Sequence, residues 1–141
     1  FCAYHMGDYF AHWLELPQRT DRDKLPKIFF VNWFRKNDNG RWLWPGFGEN
    51  SRVLKWICER VDGTGRARQT AIGWLPTPEA LDLNGLRISP EDVNELLSVD
   101  VPGWKNEIAD VAANYRKLDS HLPAALSQEL EALDQRLSAA R

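Results

Sequence analysis

The sequence predicts an α+β (or α/β) domain, with short strands early and helices late. Three observations carry this. A short β-branched and aromatic run, Lys27–Phe34 (KIFFVNWF), is bounded by Pro26 and by the polar turn Asn37-Asp38-Asn39-Gly40. Asn-Gly in that turn accepts positive φ at both positions, the strongest short hairpin signal. In the last segment, Leu126, Leu130, Leu133 and Leu137 recur at intervals of 4, 3 and 4, the stripe of a packed helix.

In chain order, Asp8–Leu16 reads as a helix with Tyr9, Trp13 and Leu16 on one face, ended by Pro17 and a charged run to Lys24. Lys27–Phe34 reads as a buried strand and Arg41–Trp44 as its return partner, broken by Pro45-Gly46-Phe47-Gly48. A helix starts near Asn50 or Ser51, both competent N-caps. Its apolar face is Val53, Leu54, Ile57, Cys58 and Val61, and Asp62-Gly63 stops it. Thr64–Arg68 is a basic link, and Gln69–Leu75 fits one more strand. Thr77-Pro78-Glu79 and Ser89-Pro90-Glu91-Asp92 each combine a cap, a first-turn proline and acidic residues that suit the helix dipole, so two short helices begin there. Two longer helices, about 103–118 and 123–140, finish the chain. The last is read as docking on a parent domain, since two heptads are few for a coiled coil.

The 141 residues suffice for one domain, and 43 % hydrophobic residues support a packed core. No apolar run approaches the roughly 20 residues of a membrane helix. The chain begins at Phe1 without an initiator Met, so an internal cut of a longer protein is expected. Cys2 and Cys58 form no CxxC pair, which points to reduced thiols rather than a disulfide or zinc framework. His5, His12 and His121 are scattered, without metal-ligand spacing, and no metal site is expected. Charge is uneven: residues 1–78 hold 12 Lys/Arg against 8 Asp/Glu, and residues 79–141 hold 6 against 12. The basic part also contains six of the seven tryptophans, a combination that suits an anionic, flat-faced ligand as well as a plain aromatic core.

Five aromatic residues, Trp33, Phe34, Trp42, Trp44 and Phe47, crowd into fifteen positions. On a strand Trp33 and Phe34 point to opposite faces, whereas Trp42 and Trp44 share one. Phe47, held between Gly46 and Gly48, either closes over a ring ligand or folds back on the hairpin. Asn50 offers an acceptor and two donors that match the edge of guanine, and it also serves as a plain helix N-cap. Arg35, Lys36 and Arg41 could meet phosphates or act as solvated turn residues.

At these residues a resemblance emerges. PKIFFVNWFRK and LWPGFGENSRVLKWI resemble the C-terminal region of GTP-dependent phosphoenolpyruvate carboxykinases, as do HMGDYFAHWL (His5–Leu14) and AIGWLPTPEALDLNGL (Ala71–Leu86). The similarity is strong to about residue 75 and weaker beyond it. It implies the C-terminal part of a nucleotide-binding domain, with residues 1–75 as a guanine-binding part and 76–141 as a helical tail. It also implies that Phe34 and Phe47 sandwich the base, Trp42 forms a third wall, Asn50 reads the base edge, and Phe47, Gly48, Glu49 and Asn50 form the strip touching the nucleotide. Trp42 stands where the family usually has Phe, and Cys2-Ala3-Tyr4-His5 where it usually reads Phe-Gly-Tyr-Asn.

The implied reaction converts oxaloacetate and GTP to phosphoenolpyruvate, CO2 and GDP, with Mn2+ and Mg2+ as metals. No GxxxxGK[ST] loop occurs in these residues, and no Lys/His/Asp set fits the manganese site. No catalytic residue or metal ligand of that reaction is therefore expected in this chain, and the fragment alone should be inactive. The intact protein is expected to be a cytoplasmic monomer with no membrane or nucleic-acid partner. The alternatives are a free-standing module for purine nucleotides or single-stranded nucleic acid, and a remnant whose aromatics serve only the core.

Overall fold

The computed structural model describes residues 2–140. Contacts group the chain into two compact units, Lys27–Val99 and the two terminal segments, Phe1–Pro26 with Asp100–Arg141. Sequence order suggested a division at residue 75, a position that lies inside a strand of the central unit.

In the terminal unit, α1 spans Met6–Glu15 and continues into a 3-10 turn, Leu16–Gln18, where Pro17 breaks the α-helical ladder. The helix starts two residues before the expected Asp8 because His5, in extended conformation, caps it: its Nδ1 accepts the Gly7 N–H at 3.1 Å. Tyr9 and Trp13 share a face and meet edge-on at 5.9 Å. Helix α4 spans Val101–Tyr115, begun by the Asp100 carboxylate accepting the Gly103 N–H and by Pro102 in the first turn. It narrows into the 3-10 segment Arg116–His121, interrupted at Asp119 with φ 46°. Helix α5 spans Ala124–Ala139 and packs against α4. Its leucine stripe is the covered face: Leu137 is 1 % exposed, and Leu126, Leu130 and Leu133 are half-buried.

The central unit departs most from expectation. Lys27–Phe34 forms no strand, and the return segment contributes a single antiparallel bridge, Lys36 to Trp42. The backbone nevertheless keeps the period of two. Phe29, Val31, Trp33 and Arg35 are half-buried, while Ile28, Phe30, Asn32 and Phe34 are exposed. Ladder hydrogen bonds need a neighbouring chain, and among the described residues none lies alongside this stretch. Trp42 and Trp44 do not share a face either. The chain bends at Leu43–Trp44, so Leu43 and Trp44 are buried at 2 % and 6 % exposure while Trp42 is half exposed.

A 3-10 turn, Phe47–Glu49, leads directly into α2, Asn50–Val61. Glu49 is therefore the cap residue, and neither Asn50 nor Ser51 is. The buried residue of α2 is Trp56, whose indole donates to the Arg66 carbonyl at 2.9 Å and meets Phe29 edge-on. Burying that ring turns the helix so that Leu54, Cys58 and Val61 of the expected apolar face stay exposed. Gly63, at φ 79°, ends the helix as expected.

The single strand expected at Gln69–Leu75 is a hairpin, β1 (Ala67–Thr70) and β2 (Gly73–Pro76), paired antiparallel with Ala67 opposite Pro76. Of the two short helices, Thr77-Pro78-Glu79 yields only the 3-10 turn Pro78–Ala80. The other is α3, Pro90–Leu96, capped by the Ser89 hydroxyl accepting the Asp92 N–H. Val93 and Leu97 complete the core with Leu43, Trp44 and Trp56. The architecture is α+β, with a small sheet and mostly helices.

Candidate functional site

The segment Phe34–Asn50 is built around its bend. Asn37 Oδ1 accepts the Asn39 and Arg41 N–H groups, closing the polar turn, and Leu43 N–H donates to the Arg35 carbonyl. Gly46, at φ 90° and ψ −158°, takes a conformation that side chains with a Cβ rarely adopt. It redirects the chain so that Phe47 projects outward, 97 % exposed. Phe34 is 72 % exposed and meets Trp42 in a tilted edge contact, centroids 5.8 Å apart. The structure thus joins Phe34 to Trp42 and leaves the Phe47 ring standing free in solvent.

Asn50 is fixed by an interaction that the sequence did not advertise. The indole N–H of buried Trp44 donates to Asn50 Oδ1 at 2.9 Å. Only the amide oxygen can accept, so the bond sets which end of the amide faces Trp44 and leaves the two Nδ2 hydrogens as donors that this bond does not use. The one available signal was spacing: Trp44 and Asn50 flank the Pro-Gly-Phe-Gly-Glu turn, which returns the chain on itself. Because Glu49 holds the cap position, Asn50 is released from that competing role.

Glu49 is committed elsewhere. Its carboxylate accepts from Arg52 Nε at 2.5 Å, and Arg52 also donates to the Asp82 carbonyl at 2.6 Å. Gly48 has no heavy atom within 4 Å of where a Cβ would stand, so the surface above it is open, and its carbonyl accepts from the Ser51 hydroxyl.

The three cations near the loop have separate tasks. Arg35 donates to the Leu96 and Ser98 carbonyls and to the Ser98 hydroxyl, tying the loop to the end of α3. Arg41 pairs with Asp92 at 2.6 Å. Their hydrogen bond and mutual charge hold the Asp92 carboxyl below the usual carboxylate range and raise Arg41. Lys36 places Nζ 4.1 Å from the Trp42 ring centroid, a cation–π contact. Asp82 is likewise held low, first by its hydrogen bond to Lys55 and then by the Asn84 N–H. The loop therefore presents aromatic faces, one oriented amide and one cation held over the Trp42 ring.

The chain belongs to the family of the phosphoenolpyruvate carboxykinase C-terminal P-loop domain, whose model matches residues 1–136. Proteins named phosphoenolpyruvate carboxykinase [GTP] are among its relatives. That of Treponema pallidum is 52 % identical over 139 residues, covering 98 % of this chain and 22 % of the relative. That of Neocallimastix frontalis is 55 % identical over 141 residues, covering 99 % and 23 %. That of Renibacterium salmoninarum is 48 % identical over 137 residues, covering 97 % and 23 %. The chain spans less than a quarter of the length of these curated relatives.

Proposed function

We propose that this chain is the guanine-recognition part of a GTP-dependent phosphoenolpyruvate carboxykinase. The base lies between the Phe34 and Phe47 rings, with Trp42 as the third wall and Phe47, Gly48, Glu49 and Asn50 as the strip along it. The observation that carries this reading is the Trp44–Asn50 hydrogen bond. It leaves the Nδ2 hydrogens as the donors of the amide, and guanine presents a carbonyl oxygen where adenine presents an amino group. The amide therefore meets an acceptor in guanine and a second donor in adenine, and an unpaired donor facing the site costs about 1–3 kcal/mol. Lys36 supplies the positive charge nearest the rings.

In the whole protein the reaction is oxaloacetate and GTP to phosphoenolpyruvate, CO2 and GDP. The groups that hold phosphates, oxaloacetate and the Mn2+ and Mg2+ ions are proposed to come from the part of the relatives that this chain does not span. We further propose that the intact enzyme is a cytoplasmic monomer. Among the described residues no helix is long and apolar enough to cross a membrane.

The test is calorimetric titration of the chain with GDP and with ADP. GDP should bind more tightly, and Asn50→Ala should bring the two affinities together. Equal affinities in the unaltered chain would overturn the reading. A second reading, a module for single-stranded nucleic acid, is favoured by the exposure of Phe34, Trp42 and Phe47 together. It requires oligonucleotides to bind better than GDP, with a steep loss of affinity as salt rises.

A further inference from the structure

Two of the three scattered histidines meet in the terminal unit. His5 precedes α1, Asp8 lies in its first turn, and His121 ends the 3-10 segment after α4. The imidazoles of His5 and His121 stack at 4.2 Å with 29° between their planes. Asp8 Oδ1 lies 2.8 Å from His121 Nδ1. One ligating atom from each of the three residues falls within 4.8 Å of the others.

We propose that His5, Asp8 and His121 form a binding site for a divalent transition-metal ion of the Zn2+ type. The donor set decides the class of ion. Two imidazole nitrogens and one carboxylate suit Zn2+, Ni2+ or Cu2+, whereas Ca2+ and Mg2+ call for mostly oxygen ligands. Bonds of about 2.0–2.2 Å to one tetrahedral ion put its ligand atoms roughly 3.4 Å apart. Reaching that spacing requires the two imidazoles to turn out of their stack and to exchange their hydrogen bonds for bonds to the ion. All three residues are exposed, which leaves a fourth position open to water.

The backbone beneath the cluster is already in place. Gly7 is buried against the main chain of His121, and a Cβ at residue 7 would overlap the His121 carbonyl. Asp119, two residues earlier, holds the left-handed φ of 46°, a conformation that persists only where its surroundings impose it. His5 Nδ1 accepts the Gly7 N–H, so a metal bond at that atom takes the place of the cap hydrogen bond. His121 Nδ1 and Asp8 Oδ1, which share a hydrogen bond, would both turn to the ion. Asp8 and His121 are 113 positions apart in sequence, so a bound ion would staple the two segments of this unit and stabilise it by linkage. No residue of the nucleotide loop takes part.

The test is titration of the metal-stripped 141-residue chain with ZnCl2, followed by calorimetry and by the histidine imidazole signals in NMR. One equivalent should bind, the His5 and His121 signals should shift together, and those of exposed His12 should not. His5→Asn keeps an N-cap acceptor and so preserves α1. It and His121→Asn should each weaken binding by more than about tenfold, since even outer-shell partners of a metal are worth that much. His12→Asn should leave binding unchanged. The thermal midpoint should rise with Zn2+ in the unaltered chain and fall back on adding EDTA. Absence of saturable uptake, or uptake that shifts His12 but not His5 and His121, would overturn the proposal. So would affinity retained in a folded double variant, its helix content checked by circular dichroism.

Discussion

Single side chains divide here into those that hold the fold and those left to meet something else. Trp44 and Phe47 are three positions apart, yet one is 6 % exposed and the other 97 %. Burying Trp44 secures the bend and orients Asn50, while exposing Phe47 costs the chain the stabilisation that its ring would gain inside. Phe47→Ala is therefore expected to leave the unfolding midpoint unchanged. Under the nucleotide reading it should weaken GDP binding by the worth of one stacked base, about 1–3 kcal/mol. Parallel denaturation and calorimetry separate the two effects, and a large loss of stability would show that the ring serves the core. The roles of Asn50 and Phe47 were only half legible in sequence. Both residues stand in a recognisable heptapeptide, Trp44–Asn50, but whether Asn50 caps the helix or faces outward depends on which residue begins it.

Elements show where local pattern suffices and where it does not. Ser89-Pro90 starts its helix as expected, because a cap and a first-turn proline act within one turn, whereas α4 starts ahead of the expected position 103 because Asp100 caps it. The extended run Lys27–Phe34 keeps its alternation but forms no ladder, because a strand is defined by a neighbour. Helix α3 is anchored to the loop by Asp92 and Arg41. Asp92 has a folded-state pKa below its unfolded value of about 3.9. Its contribution to stability is therefore present above that value and is lost as pH falls through the lower, folded one. Asp92→Asn should lower stability at neutral pH and flatten the acid limb, as read by denaturation midpoints across the acid range. Gly7 in α1 is a different case, set by packing. Gly7→Ala drives a Cβ into the His121 backbone and should destabilise the chain by about 1–3 kcal/mol, measured by chemical denaturation.

At the scale of the whole molecule, 22–23 % coverage of the relatives at 48–55 % identity places a division of labour in view. Base selection is proposed for this chain and the reacting atoms for the remainder. Purified residues 1–141 should accordingly show no conversion of oxaloacetate and GTP to phosphoenolpyruvate, followed by a coupled assay. Measured turnover would require catalytic groups within this chain. By itself the sequence determined the family, the α+β class, the presence of the longer helices, the Ser89 cap, the Gly63 stop, and the aromatic composition of the loop at Phe34–Asn50. Each of these is written in neighbouring residues or in runs long enough to be specific. Tertiary structure alone decided that Trp44 turns inward while Trp42 stays out. It also decided that Arg35 and Arg41 are spent on α3, that the Asn50 amide oxygen is taken by Trp44, and that His5 and His121 stack beside Asp8. Those outcomes depend on which distant groups a bend or a glycine brings within hydrogen-bonding reach, and linear spacing carries no information about that.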